Sequence, residues 1–140
     1  MRRLTKNRST VISRVACISI IVEWKMNSLN SMLVEGNLTE DPVMTSTPKG
    51  TPVCAFTVAS VRYYKEDGEY KDETSFFDVE SWGKLAETCK EYLEKGRGVR
   101  IVGRLKQDRW RDRNYNSRSS VKIVAEHVEF KPIKKGVIDV

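Results

Sequence analysis

Between residues 103 and 114 the chain reads GRLKQDRWRDRN, one tryptophan among five basic side chains: Arg104, Lys106, Arg109, Arg111 and Arg113. Large indoles usually join cores, and arginine runs usually stay in water. Together on a solvated face they offer a stacking surface beside cations. Phe76 and Trp82, followed by Lys84, make a similar offer earlier in the chain. Single-stranded nucleic acid can use both features, because bases stack on rings and cations track phosphates, whereas a duplex hides its base faces. Other chemistry has less to work with. His127 is the only histidine and lies in an apolar stretch, and no CxxC pair occurs among Cys17, Cys54 and Cys89. The acids of residues 66–78 lack metal-ligand spacing with histidine or cysteine. The expectation is a protein that is not an enzyme and holds no metal or cofactor. Cys54 and Cys89 sit among apolar residues and are read as small core hydrophobes in a reducing compartment.

The elements that must position these groups are mostly strands. Residues 31–36 (SMLVEG), 53–64 (VCAFTVASVRYY) and 74–82 (TSFFDVESW) are short runs rich in apolar, β-branched or aromatic residues. A charged turn region, KEDGEYKDE at 65–73, carries Asp67-Gly68 as a hairpin signal. Residues 83–96 switch period: Leu85, Cys89, Tyr92 and Leu93 form one apolar stripe of a helix, with Gly96 placed as its C-terminal stop. Residues 98–110 and 119–130 read as two further strands. Five strands with one helix between strands 3 and 4 define the expected fold, an all-β OB-fold Greek-key barrel.

Alternation then assigns faces. Phe77 and Val79 fall on one side of the third strand, and Phe76, Asp78, Glu80 and Trp82 on the other. In the fourth strand Val99, Ile101 and Leu105 are read inward, and Arg100, Arg104, Lys106 and Trp110 outward, unless a bulge reverses the register.

Charge is distributed unevenly. Of the net +6, residues 1–25 hold six bases against one acid, so the rest of the chain is near neutral. That remainder is polarised. Residues 66–94 carry ten acids and three bases, a net of −7, and residues 97–122 carry nine bases and two acids, a net of +7. A basic segment this dense fits either a polyanion partner or a solvated strand pair that balances the acidic region.

Residues 1–25 differ in character from the rest of the chain. Their apolar run from Val15 to Val22 is too short to cross a bilayer, and no membrane role is expected. A secretory signal, an organellar transit peptide and a segment outside the working domain are three readings, of which the last is preferred. The expected organisation is an atypical extension at 1–25, a working domain at 26–131 and a short tail at 132–140.

From about residue 30 to residue 130 the chain resembles the bacterial single-stranded DNA-binding protein family. The stretches SMLVEGNLTEDP, TPKGTPVCAFTVA, SWGKLAETCKEYLEKG and VGRLKQDRW carry the resemblance in the family's order and spacing. The resemblance implies a homotetramer over which single-stranded DNA wraps during replication, recombination and repair, in a bacterial cytoplasm; a mitochondrial matrix is the alternative. It places base-stacking aromatics on Tyr64, Phe76, Trp82 and Trp110, with Tyr63 replacing Tyr64 after a one-residue shift. Phosphate-contacting bases fall on Lys84, Lys106 and Arg109; charge and phase add Arg62, Arg104 and Arg111.

Two departures from the family stand out. Asp78 and Glu80 occupy the aromatic phase, so either the DNA takes another path there or arginines of the next strand pair with them. The chain ends at EFKPIKKGVIDV where the family usually continues to an acidic tip that recruits replication and repair proteins. That ending leaves room for a specialised OB module, primosome-type or plasmid-encoded, acting mainly through protein contacts.

Overall fold

A computed structural model describes residues 26–133. The readings of residues 1–25, of Cys17 and of the chain end after residue 133 lie outside the described residues. Residues 26–30 belong to a unit separate from Ser31 onward and carry no regular structure. From Ser31 the elements are β1 (Met32–Leu38), β2 (Val43–Ser46), β3 (Pro52–Glu66), β4 (Glu69–Trp82), α1 (Lys84–Tyr92), β5 (Gly98–Arg111) and β6 (Ser117–Phe130).

Five strands close into a barrel in the order β1-β5-β6-β4-β3, with β3 returning to β1 through Asn37↔Ala59 and Leu38↔Val58. This is the expected OB-fold, with its helix between the third and fourth barrel strands. The short β2 is an addition, laid antiparallel along the first residues of β3. Alternating residues from each barrel strand meet inside: Val58, Val79, Val99, Ile101 and Ile123 are fully buried. Burial of each such side chain contributes about 1.5–3 kcal/mol. Cys54 and Cys89 join this core as small apolar residues, and desolvation pushes both thiols up from their ordinary pKa.

The helix ends earlier than its period suggests. Leu93 caps it, and Gly96 lies beyond it in a turn where its N–H donates to the Leu38 carbonyl. Ala86, Cys89 and Leu93 form the buried stripe, while Tyr92 stays outside with its ring 5.8 Å from that of Phe130. The last turn thus faces the barrel through Leu93, and Tyr92 lies too far round the helix to join it.

The β3–β4 pair is longer than the sequence pattern shows. Its strands run unbroken to a two-residue turn at Asp67-Gly68, where both residues take positive φ, the twist that a tight hairpin requires. The segment read as a charged turn is therefore mostly strand. Alternation is invisible there because the hairpin has left the barrel and both of its faces meet water. The β5–β6 hairpin projects in the same way, so Leu105 is about half exposed and not interior. Two solvated arms extend from one small core.

A bulge does occur in the β5–β6 ladder, between Val102 and Gly103, but the additional residue is Glu126 of β6. The inward phase of β6 switches there from Ile123 and Ala125 to Val128, while β5 keeps its phase. Gly103 makes the contact possible: a Cβ on it would lie 2.2 Å from the Val124 carbonyl oxygen.

Candidate nucleic-acid interface

Because β5 keeps its phase, Arg100, Arg104, Lys106 and Trp110 all point outward. In β4, Val79 and Ser81 turn in, so Phe76, Asp78, Glu80 and Trp82 turn out. These two rows belong to one face. Lys122 of β6, directly opposite Lys106, places its Nζ 2.8 Å from Glu80 Oε2 and 2.9 Å from Asp108 Oδ2. Phe76 is 66% exposed, Trp82 40% and Trp110 50%. At about 3.3 Å per residue, Phe76 and Trp82 stand about 20 Å apart along β4, several nucleotides of an extended strand.

The other candidates are placed differently. The unbroken β3–β4 register puts Arg62 and Tyr64 in the phase of Phe56 and Val58, on the opposite face from Phe76. There Tyr64 is half-buried beneath the Arg62 guanidinium, 4.9 Å from the ring centroid, and Arg62 also pairs with Glu73 at 3.5 Å. Arg109 and Arg111 likewise alternate away from Trp110, and Arg109 donates two hydrogen bonds to Gln107 Oε1. Lys84 is exposed at the first residue of α1, two residues from Trp82. The face that gathers Phe76, Trp82, Arg104, Lys106 and Trp110 therefore does not gather Arg62, Tyr64, Arg109 or Arg111.

Both acidic departures have partners. Asp78 accepts a hydrogen bond from Thr57 Oγ1 at 3.0 Å. Glu80 accepts the indole N–H of Trp82 at 2.7 Å and pairs with Lys122, a lysine of β6 and not an arginine of β5, because β6 is the strand beside β4. Glu80 and Asp108 hold the Lys122 ammonium above its ordinary pKa, and hydrogen bonding to Lys122 holds Asp108 below its own. Glu40, Asp41, Asp78 and Glu80 share one groove with Lys122, which makes that part of the face unfavourable for phosphate. Arg104 has no carboxylate partner among the described residues, and Lys106 has only a long contact of 3.8 Å to Asp108.

An OB barrel whose outward face sets solvated rings beside cations has a counterpart among known proteins. The model of the single-strand binding protein family matches residues 29–131.

The chain belongs to that family. It is 43% identical over 109 residues to a single-stranded DNA-binding protein of Aquifex aeolicus, covering 77% of this chain and 74% of that one. It is 35% identical to single-stranded DNA-binding protein 2 of Chlorobaculum tepidum, over 75% of this chain and 72% of the relative. Among solved structures, an SSB of Plasmodium falciparum in complex with ssDNA superposes with a TM-score of 0.71. It covers 76% of this chain and 98% of its own at 21% identity, a likeness of fold.

Within the family frame Tyr63, the alternative to Tyr64 offered by a one-residue shift, is 75% exposed and shares the face of Phe76. Lys65 and Tyr70, which sequence reasoning missed, share that face farther along the arm, with the Lys65 ammonium 5.5 Å from the Tyr70 ring centroid. The signal is present in the chain: continuing the even phase of Phe76 back through Thr74 and Asp72 reaches Tyr70. Reading residues 65–73 as a turn conceals it. Lys122 has no such signal, since only the pairing of β6 with both β5 and β4 sets it between two carboxylates.

Proposed function

We propose that the chain is a non-enzymatic, sequence-tolerant binder of single-stranded DNA. In this reading it covers strands exposed during replication, recombination and repair in a bacterial cytoplasm, as a homotetramer whose working domain is residues 26–131. One observation supports this reading above others: Phe76, Trp82 and Trp110 stand solvated on the same face as Arg104 and Lys106. Stacking on aromatic rings is open to unpaired bases and contributes about 1–3 kcal/mol per base, while the cations give a salt-dependent attraction to phosphate. The strand is proposed to run from the β3–β4 arm, through Tyr63 and Phe76, past Trp82 to the β5–β6 arm. It keeps its phosphates on the side of Arg104 and Lys106 and away from the acidic groove. Lys84 lies beside this path. Arg62, Tyr64, Arg109 and Arg111 serve where DNA wraps round the edge of an arm.

Titration of the full chain with oligo-dT tests the reading. Tryptophan fluorescence is expected to be quenched, with reversal at high salt, and light scattering is expected to report four chains per particle. Equal competition by an unlabelled duplex of the same length would sink the single-strand assignment. Weak binding that is insensitive to loss of the rings would instead favour a module working through protein contacts.

A further inference from the structure

We propose that Glu80 is a positioning residue for Trp82: its carboxylate, held between the indole N–H and the Lys122 ammonium, fixes the plane that the indole presents on the outward face. The inference rests on the reading of Trp82 as a stacking ring and adds what orients it.

Trp82 is the last residue of β4, paired with Val53, so the backbone is held there and the indole plane is left to the side chain's own contacts. Its ring is 40% exposed and so is packed on only part of its surface. A half-open indole could leave its N–H to water, but here the residue two positions back on the same face supplies a fixed acceptor. Glu80 Oε1 accepts that N–H at 2.7 Å, while Oε2 faces Lys122 Nζ at 2.8 Å. Lys122 is in turn held by Asp108 at 2.9 Å, so the tether spans β4, β6 and β5. The Glu80 and Lys122 side chains are 16% and 22% exposed, against 60% and 71% in the solvated Glu73–Arg62 pair. A less hydrated pair is screened less and holds its geometry better. Glu80 lies in the acidic groove that phosphates avoid, so its carboxylate serves the indole beside the DNA path and not the phosphates on it.

The test compares Glu80→Ala with Glu80→Gln in the full chain. Both remove the charge opposite Lys122, and only glutamine retains an acceptor for the indole. In the free protein, hydrogen exchange of the Trp82 indole proton is tracked by nitrogen-15 NMR, assigned by its loss in Trp82→Phe. Affinity is measured with an oligo-dT. Glu80→Ala is expected to speed indole exchange and weaken binding about three- to tenfold, the scale of one hydrogen bond; Glu80→Gln recovers most of both. Adding Glu80→Ala to Trp82→Phe, which keeps a ring without the donor, is expected to weaken binding no further. Equal losses in the alanine and glutamine variants, or a Glu80→Ala protein with unchanged exchange and affinity, would overturn the positioning role. If Glu80→Ala binds normally while Trp82→Ala is weakened, the inference alone falls. If Trp82→Ala also binds normally, the stacking reading falls with it.

Discussion

Replacing Trp110 by alanine separates stacking from both folding and charge. The ring lies on the projecting β5–β6 arm opposite Arg118, outside the buried cluster, and is half exposed. Its loss leaves no cavity in the barrel, so unfolding should change by no more than about 0.5 kcal/mol, the range of surface substitutions. For a domain of this size that is a shift of no more than about 4 °C in Tm. Removal of one stacked base partner should cost about 1–3 kcal/mol of binding, a loss of about 5- to 150-fold in affinity. The ring carries no charge, so the dependence of log affinity on log salt should keep its slope. Fluorescence anisotropy of a labelled oligo-dT across a salt series, beside a thermal melt, reads all three quantities. Trp110→Phe keeps a stacking surface and should retain most of the affinity. Stacking on Trp110 is excluded if Trp110→Ala binds within twofold of the parent chain with its Tm unchanged. A change of slope as large as that from losing a cation would also refute it, because the effect would then come from displaced arginines.

The same geometry sets further outcomes. Arg104→Ala removes an outward cation with no carboxylate partner among the described residues and should flatten the salt slope by about 0.7, one phosphate on a single strand. Arg62→Ala, already paired with Glu73 and on the other face of its arm, should change the slope by less than half as much. Gly103→Ala forces a Cβ to within 2.2 Å of the Val124 carbonyl at the bulge, and denaturant melts should show a loss of about 1–3 kcal/mol. Asp108, held below its ordinary 3.8 by Lys122, favours the folded state above that pH and loses the contribution as pH falls through its lower folded value. Thermal melts between pH 5 and about pH 2 should therefore decline less steeply for Asp108→Asn than for the parent chain.

Much of this is legible from side-chain types and their period. Val99 and Ile101 alternate with Arg100, and Val79 with Phe76 and Trp82 beyond it, so burial on one face and exposure on the other come from the two-residue repeat of a strand. The switch to a helical repeat after Gly83, and the Asp67-Gly68 turn, are equally local. Local pattern also names Phe76, Trp82 and Trp110 as rings with charged neighbours.

Local pattern fails where an element leaves the core. In the β3–β4 arm neither face is buried, so no apolar alternation marks residues 65–73 as strand, and the even phase that leads from Phe76 to Tyr70 goes unread. The helix stripe depends on which turn faces the barrel, so the period puts Tyr92 inside beside Leu93, and only Leu93 goes there. The location of the bulge matters in the same way: one additional residue in β6 and none in β5 is what keeps Trp110 outward. Only pairing across strands distant in sequence sets Lys122 between Glu80 and Asp108 and turns an apparent repulsion into a tether for Trp82. The barrel strands, the rings and the inward residues near the core, Val79, Val99 and Ile101, follow from a residue's nearest neighbours along the chain, whereas Leu105 has the inward period and lies on an arm with no core beneath it. Which rings and cations share a face, and which charges are already paired, depend on the order and register in which distant strands meet, and so come from the folded barrel.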